Sequence, residues 1–236
     1  MKTVFIADGH LKGSLDPNQK SLVRFLDSLR ADTLVVLGDL FDFWTGSNSV
    51  AAKEYRPVLE AFMRLKRRGV KIIYCEGNHD FSMGPFFKND LAASILPEIS
   101  EIDIDGKRFL LGHGDTVAMT KGYRLWRWYL RSPFFKVTAA LATPRGVWTI
   151  ATKLSKKSRR RGAPYPAKNH IEERLRDFAR DKLSEGLDAV LFGHSHAAGV
   201  HREAKGVYAN PGSWAADHTC LVYEDGSFSV IEWKEG

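Results

Sequence analysis

Five short stretches of this chain carry groups that can bind a metal ion. They are Asp8-Gly9-His10, Gly38-Asp39 with Asp42 close behind, Asn78-His79-Asp80, His113-Gly114-Asp115 and His194-Ser195-His196. Asp8, His10, Asp39, Asn78, His113, His194 and His196 make seven candidate ligands, all oxygen or nitrogen donors. A mixed carboxylate, amide and imidazole set suits Mn²⁺, Fe or Zn²⁺ and not an ion that prefers thiolates. Seven donors exceed one tetrahedral site, whereas two divalent ions sharing a bridging carboxylate use them all. Each motif alone means little: an Asp-x-His pair recurs by chance, and Asn-His-Asp can be a turn with local side-chain hydrogen bonds. Five together, each directly after an apolar run, argue for a dimetal centre.

The apolar runs are the elements that must position these groups. They are "TVFIA" (3–7), "TLVVL" (33–37), "KIIYC" (71–75), "RFLLG" (108–112) and "AVLFG" (189–193). Their length and β-branched content predict buried strands. In extended backbone, the i, i+2 spacing of Asp8/His10 and His194/His196 points both side chains the same way. The carboxyl ends of strands in α/β sheets are the usual ligand crevice.

Amphipathic helical patterns lie between several runs, over residues 16–30, 53–68 and 169–185. Asp16 and Pro17 are a cap and a first-turn residue, while Gly69 and Gly186 close the second and third patterns. Asp105-Gly106 and Asp225-Gly226 sit between strand-like runs and predict hairpins, so the C-terminal part should be antiparallel. The expectation is an α/β chain: a mixed two-sheet sandwich with outer helices.

The chain of 236 residues is long enough for one sizeable core. No apolar run approaches the ~18 residues of a membrane helix. The N-terminus has too short an apolar stretch for a signal peptide, and a cytoplasmic protein is expected. Cys75 and Cys220 both fall in apolar runs and form no metal or redox motif, which predicts buried free thiols.

Charge is unevenly spread. Residues 116–170 hold thirteen Lys and Arg and no Asp or Glu; with the chain at +7, the other 181 residues sum to −6. This segment breaks the strand rhythm and reads as a helical insertion. "YRLWRWYLRSPFF" (123–135) interleaves arginine with Leu, Trp and Tyr, and "GVWTIATKLSKKSRRR" (146–161) is apolar first and basic after. Such a surface suits the boundary of an anionic bilayer. Its arginines suit pyrophosphate, and basic patches with aromatics also suit nucleic acid. The aromatic residues could equally pack the insertion onto the body.

The ordered set D-x-H, GDxxD, GNHD, GH, GHxH spans residues 6–196 and resembles the calcineurin-like metallophosphoesterases. That resemblance implies a four-layer α/β/β/α sandwich and two divalent ions, Mn foremost. It implies that Asp8, His10, Asp39 and His196 hold one ion and that Asp39, Asn78, His113 and His194 hold the other. His79 would then act on the phosphoryl group, with Asp42 orienting its ring. Asp80 would hold the turn.

Within the family, "FIADGHL" (5–11), "LGDLFDFW" (37–44), "GNHDF" (77–81), "GHGDT" (112–116) and "GYRLWR" (122–127) resemble hydrolases of lipid A biosynthesis. Those cleave UDP-2,3-diacylglucosamine to UMP and 2,3-diacylglucosamine 1-phosphate. The likeness implies one domain over 1–236 with a lid at 116–170 that holds the acyl chains. It implies substrate contacts from Tyr123, Arg127 and Asn78. It also implies a peripheral place on the inner membrane, an anionic surface met by the lid, and no obligate protein partner. Two features depart from it. His79 stands where those hydrolases carry arginine, and "NPGSW" (210–214) is similar to other metallophosphoesterases. The alternatives are therefore a phosphodiesterase for a nucleotide or nucleic acid, and a binding scaffold without turnover. The complete ligand set speaks against the scaffold.

Overall fold

The computed structural model describes residues 1–46, 48–117, 119, 121–132, 134–135, 143–160 and 165–234, without side chains at 121, 151, 154–160 and 165–169. Two large sheets face each other, and a third has only two short parallel strands, β3 (Trp44–Thr45) and β5 (Asp80–Phe81). In the first, β1 (Thr3–Ile6), β2 (Thr33–Val36), β4 (Lys71–Cys75) and β6 (Ser94–Leu96) run parallel. Two antiparallel strands, β12 (Thr219–Glu224) and β13 (Ser227–Glu232), extend that sheet beyond β1. The second sheet has the order β10 (Gly199–Glu203), β11 (Gly206–Asn210), β9 (Ala189–Leu191), β8 (Lys107–Leu111), β7 (Ser100–Ile104).

Alternation along the strands makes the layers. Phe5, Val35, Leu37 and Ile73 point into the space between the sheets, where they meet Phe109, Leu111, Leu191 and Ala209. Their neighbours Val4, Ile6, Leu34, Val36 and Ile72 face the opposite way, against helices. Those helices are α1 (Pro17–Ser28), α2 (Ser49–Glu54) and α3 (Arg56–Arg67), which contribute Leu22, Ala51, Val58 and Phe62. On the far face of the second sheet, Leu110, Val190, Phe192 and Tyr208 pack under Leu175, Ala179 and Leu183 of α6 (Tyr165–Ser184). With both sheets covered on both faces, the strands read as continuous apolar runs, and the order is α/β/β/α.

Local signals act as expected at several ends. Asp16 caps α1 by accepting from the Asn18 amide at 3.1 Å. Asp105 and Gly106, at φ 59° and 73°, form the tight turn between β7 and β8. Both cysteines are buried and free. The single helix expected over 53–68 is instead two. Buried Tyr55 ends α2 and donates to the Leu11 carbonyl at 2.8 Å, and Pro57, which has no N–H to give, stands in the first turn of α3.

Between β8 and β9 come α4 (Lys121–Arg131), α5 (Pro144–Arg160) and α6. α6 starts at Tyr165 and continues unbroken past residue 170, so one helix joins the basic segment to the outer layer. α5 rests on the body through Trp148, whose ring lies 5.6 Å from Tyr55 and 6.3 Å from Phe43. The basic run 156–161 lies outside the residues whose side chains are described.

Candidate metal centre

The loops that follow β1, β2, β4, β8 and β9 come together at one edge of the sandwich and bring the seven candidate ligands together. Asp8, His10 and His196 each place one donor atom within 4.8 Å of the others, and so do Asp8, Asp39 and His113. Asp8 Oδ1 lies 3.2 Å from His196 Nε2 and 3.6 Å from His10 Nε2. His113 Nε2 lies 3.2 Å from each of Asp39 Oδ2, Asn78 Oδ1 and His194 Nδ1. Asp8 and Asp39 are therefore next to each other between the two halves of the cluster.

The backbone reaches this arrangement by a route that i, i+2 spacing in a strand does not describe. Asp8, His10, Asp39, His194 and His196 have φ of 53°, 39°, 52°, 65° and 61°, all left-handed. They lie in turns just past the strands. Asp and His tolerate this region better than bulky or β-branched residues do, and such strain clusters at functional sites. The Asp8 carboxylate helps to hold the turn opposite, accepting from the His194 amide at 2.8 Å.

Asp80 is the brace beneath the cluster. It accepts from the amides of Asp39 (2.9 Å), Leu40 (2.7 Å), Phe41 (3.3 Å) and Gly77 (3.0 Å), and from the Tyr74 hydroxyl (2.6 Å). One carboxylate thus joins the Asp39 and Asn78 loops. Gly77 is required there by contact alone, because a Cβ would come within 2.1 Å of Asp39 Oδ1.

The electrostatics fit a cation. Burial works to raise the Asp8 carboxyl, but the neighbouring imidazoles of His10, His196 and His113 hold it well below the ordinary range. Burial would lower the His113 imidazole, yet Asp39 holds it well above its usual value. Burial, with the charge of His113, lowers His194 to about 4, which keeps it neutral as a ligand must be. The His113 Nδ1–H donates to the Leu37 carbonyl at 2.9 Å and so aims Nε2 at the cluster. Among the described residues, Asp8 Oδ1 and His10 Nδ1 are buried without a hydrogen-bond partner. Paired carboxylates beside imidazole nitrogens are the donor set a divalent cation takes up, displacing the proton where one is held, so the residues fit one.

His79, Asp42 and His10 each place one ring nitrogen or carboxylate oxygen within 4.8 Å of the others, so the Asp42 carboxylate stands beside the His79 ring, and the Asp42 main chain holds that ring as well. His79 Nδ1 donates to the main-chain carbonyl of Asp42 at 3.0 Å, and the His79 amide donates to Asp39 Oδ1 at 2.8 Å. The carbonyl fixes which ring nitrogen carries the proton.

The α4 helix borders the centre. Tyr123 donates to Asp115 at 2.7 Å, and Arg127 pairs with Glu98 at 2.9 Å and lies 3.5 Å from Asp115. Arg131 reaches Glu76 at 2.7 Å and the Gly77 carbonyl at 3.2 Å, and lies 5.4 Å over the Phe81 ring. Sequence reasoning named Asp115 and Arg131 without giving either a role of its own, and did not single out Glu76. The signal available for the two acids was their place immediately before or after a ligand motif. Beside α4 is a cavity of about 410 Å³ lined by Glu98, Arg124, Arg127, Trp128 and Arg131, among others; none of its lining residues is a candidate ligand.

Comparison with known proteins agrees with this picture. A family profile described as calcineurin-like phosphoesterase matches residues 1–198. The chain is 33% identical over 216 residues to UDP-2,3-diacylglucosamine hydrolase of Aeromonas salmonicida (strain A449), covering 85% of this chain and 80% of that one. It is 29% identical to the enzyme of the same name from Photorhabdus laumondii, over 99% of both chains. A solved structure described as a novel archaeal phosphodiesterase shares the fold, with a TM-score of 0.52, 15% identity, and 98% of this chain and 99% of that one covered.

Proposed function

The chain belongs to the calcineurin-like phosphoesterase family, and on that premise we propose that it hydrolyses the pyrophosphate of UDP-2,3-diacylglucosamine, releasing UMP and 2,3-diacylglucosamine 1-phosphate. The observation that carries this reading is a juxtaposition. A carboxylate–imidazole cluster lies beside a helix that anchors arginines next to it and leaves Leu125, Trp126 and Trp128 exposed. Relatives named for that substrate match along nearly the whole chain.

In this reading Asp8, His10, Asp39 and His196 hold one divalent ion, and Asp39, Asn78, His113 and His194 hold a second, with Asp39 shared. Mn²⁺ suits these donors best, with Fe or Zn²⁺ as alternatives. Bound ions would supply Lewis acidity toward the phosphoryl oxygen and a nucleophile at neutral pH. The protein's own part is positional. Asp80 locks the loops of Asp39 and Asn78 together, and Leu37 sets the tautomer of His113. His79, held by the Asp42 carbonyl, faces the phosphoryl group and stabilises its charge or protonates the leaving group. Asn78, Tyr123 and Arg127 contact substrate.

Residues 116–170 serve as the lid of a single domain over 1–236. Exposed apolar and basic side chains on α4 meet the acyl chains and the anionic face of the inner membrane, with the body in the cytoplasm. Among the described residues, no helix is long and apolar enough to cross a membrane. His79 favours a second reading, a nucleotide or nucleic-acid phosphodiester, because it stands where the lipid A hydrolases carry arginine.

The deciding experiment incubates the Mn²⁺-supplemented protein with UDP-2,3-diacylglucosamine in mixed micelles and measures UMP. Release is expected, and replacing Trp126 and Trp128 together by serine should raise KM for the lipid while sparing a small chromogenic phosphodiester. No UMP, with turnover of a dinucleotide instead, would establish the second reading.

A further inference from the structure

The turn His194-Ser195-His196 presents two candidate ligands to the centre, but Ser195 faces the other way. Its hydroxyl donates to Glu172 Oε2 at 2.5 Å and accepts from Asn210 Nδ2 at 2.8 Å. The Tyr208 hydroxyl donates to the same Glu172 oxygen at 3.1 Å. Asn210 Nδ2 also reaches the Gly193 carbonyl at 3.1 Å, while its Oδ1 accepts from the Gly212 amide at 2.8 Å. Every donor and acceptor in this chain of contacts has its direction set. Asn210 cannot flip, because the Gly193 carbonyl can only accept and the Gly212 amide can only donate, and Ser195 must then spend its one proton on Glu172.

The turn needs such a hold. His194 and His196 have φ of 65° and 61°, and the Ser195 amide folds back onto the Gly193 carbonyl at 2.7 Å. Two left-handed non-glycine residues in three persist only where surrounding contacts over-determine them. Glu172 is the member of this network that does not come from the turn or from β11. It lies on α6, the helix that closes the basic inserted segment. Its other oxygen, Oε1, is buried and has no hydrogen-bond partner among the described residues, so its described hydrogen bonds all serve this one point.

We propose that Glu172 is a positioning residue: acting through Ser195, it holds His194 and His196 at the spacing a cation requires and so ties metal affinity to the seating of α6. This rests on the reading that the cluster binds divalent ions. Glu172 has no described hydrogen bond to a candidate ligand. Without its carboxylate, the Ser195 and Tyr208 hydroxyls lose their acceptor. The serine then turns to another partner, and the left-handed pair relaxes. Partners of this outer kind typically set metal affinity by about 10–100-fold.

The test uses the full chain and Mn²⁺ alone as probe, with free Mn²⁺ followed by electron paramagnetic resonance. Glu172→Ala should weaken binding by roughly 10–100-fold, with activity returning toward wild type at saturating Mn²⁺. Glu172→Gln, whose amide oxygen still accepts from both hydroxyls, should weaken it less. Ser195→Ala should match Glu172→Ala, and the double variant should be no worse than either, because both break one linkage. Should Glu172→Ala fail to fold, Glu172→Gln and Ser195→Ala carry the same comparison. Unchanged Mn²⁺ affinity in a folded variant would overturn the proposal, as would additive effects in the double variant or a lost activity that excess Mn²⁺ does not restore. A wild-type protein that binds no Mn²⁺ would instead overturn the metal reading, and this inference with it.

Discussion

The Arg131 guanidinium, on α4, grips the Glu76 carboxylate at 2.7 Å and the carbonyl of Gly77 at 3.2 Å, one residue before the candidate ligand Asn78. Glu76 in turn accepts from the Met83 amide at 3.3 Å, so a side chain from the basic segment clamps both ends of the stretch that carries Asn78 and His79.

That clamp is partly buried, with the two side chains 18% and 6% exposed. Arg131→Ala strands the Glu76 charge and should cost about 3 kcal/mol, as breaking a buried pair does. Adding Glu76→Gln should recover part of it, since an amide needs no countercharge. Urea unfolding of the four proteins in the cycle measures both effects.

The His79 ring donates to the Asp42 carbonyl and lies near the Asp42 carboxylate, outside the candidate ligand set. His79→Ala should lower kcat by about 100-fold, in the range for a general acid or a charge-stabilising donor. Metal content, read by elemental analysis, should stay at the wild-type value. An equal kcat in a fully loaded variant would exclude the role given to it.

His113 is held above the usual imidazole range by Asp39, against the effect of burial. Its contribution to metal-free stability is then fully present below the unfolded value of about 6.5 and is lost as pH rises through the raised folded value. A cation must displace this proton, so Mn²⁺ affinity should weaken as pH falls. Titration calorimetry near neutral pH, in buffers of different ionisation enthalpy, should show proton release on binding.

Burial raises the Cys220 thiol to about 11 and Cys75 further still. Neither should react with a disulfide reagent at pH 8 in the native state, and both should react once guanidinium unfolds the chain. Rapid labelling of the native protein would show a strand opening that the packing does not suggest.

Much of the fold was legible along the chain because buried strands in a two-sheet sandwich must be apolar on both faces, and five runs are. The ligand types were legible for a similar reason: charged and polar groups directly after buried strands have few explanations other than a site. Local reading failed where the backbone left regular geometry. The i, i+2 pairs converge through left-handed turns and not along a strand, and Tyr55 divides one helical pattern into two. Asp42 also holds the His79 ring through its carbonyl, an atom that every residue type possesses and that no composition can signal.

Which residues could bind an ion, and which runs would carry them, can be read along the chain, since period and side-chain chemistry are local properties. What holds those residues comes from long-range packing. Asp80 braces two loops, Arg131 crosses 55 positions to clamp Glu76, and Glu172 reaches a serine 23 positions away. Those pairings depend on how helices outside the sheets are seated, and seating is set by packing among many residues at once.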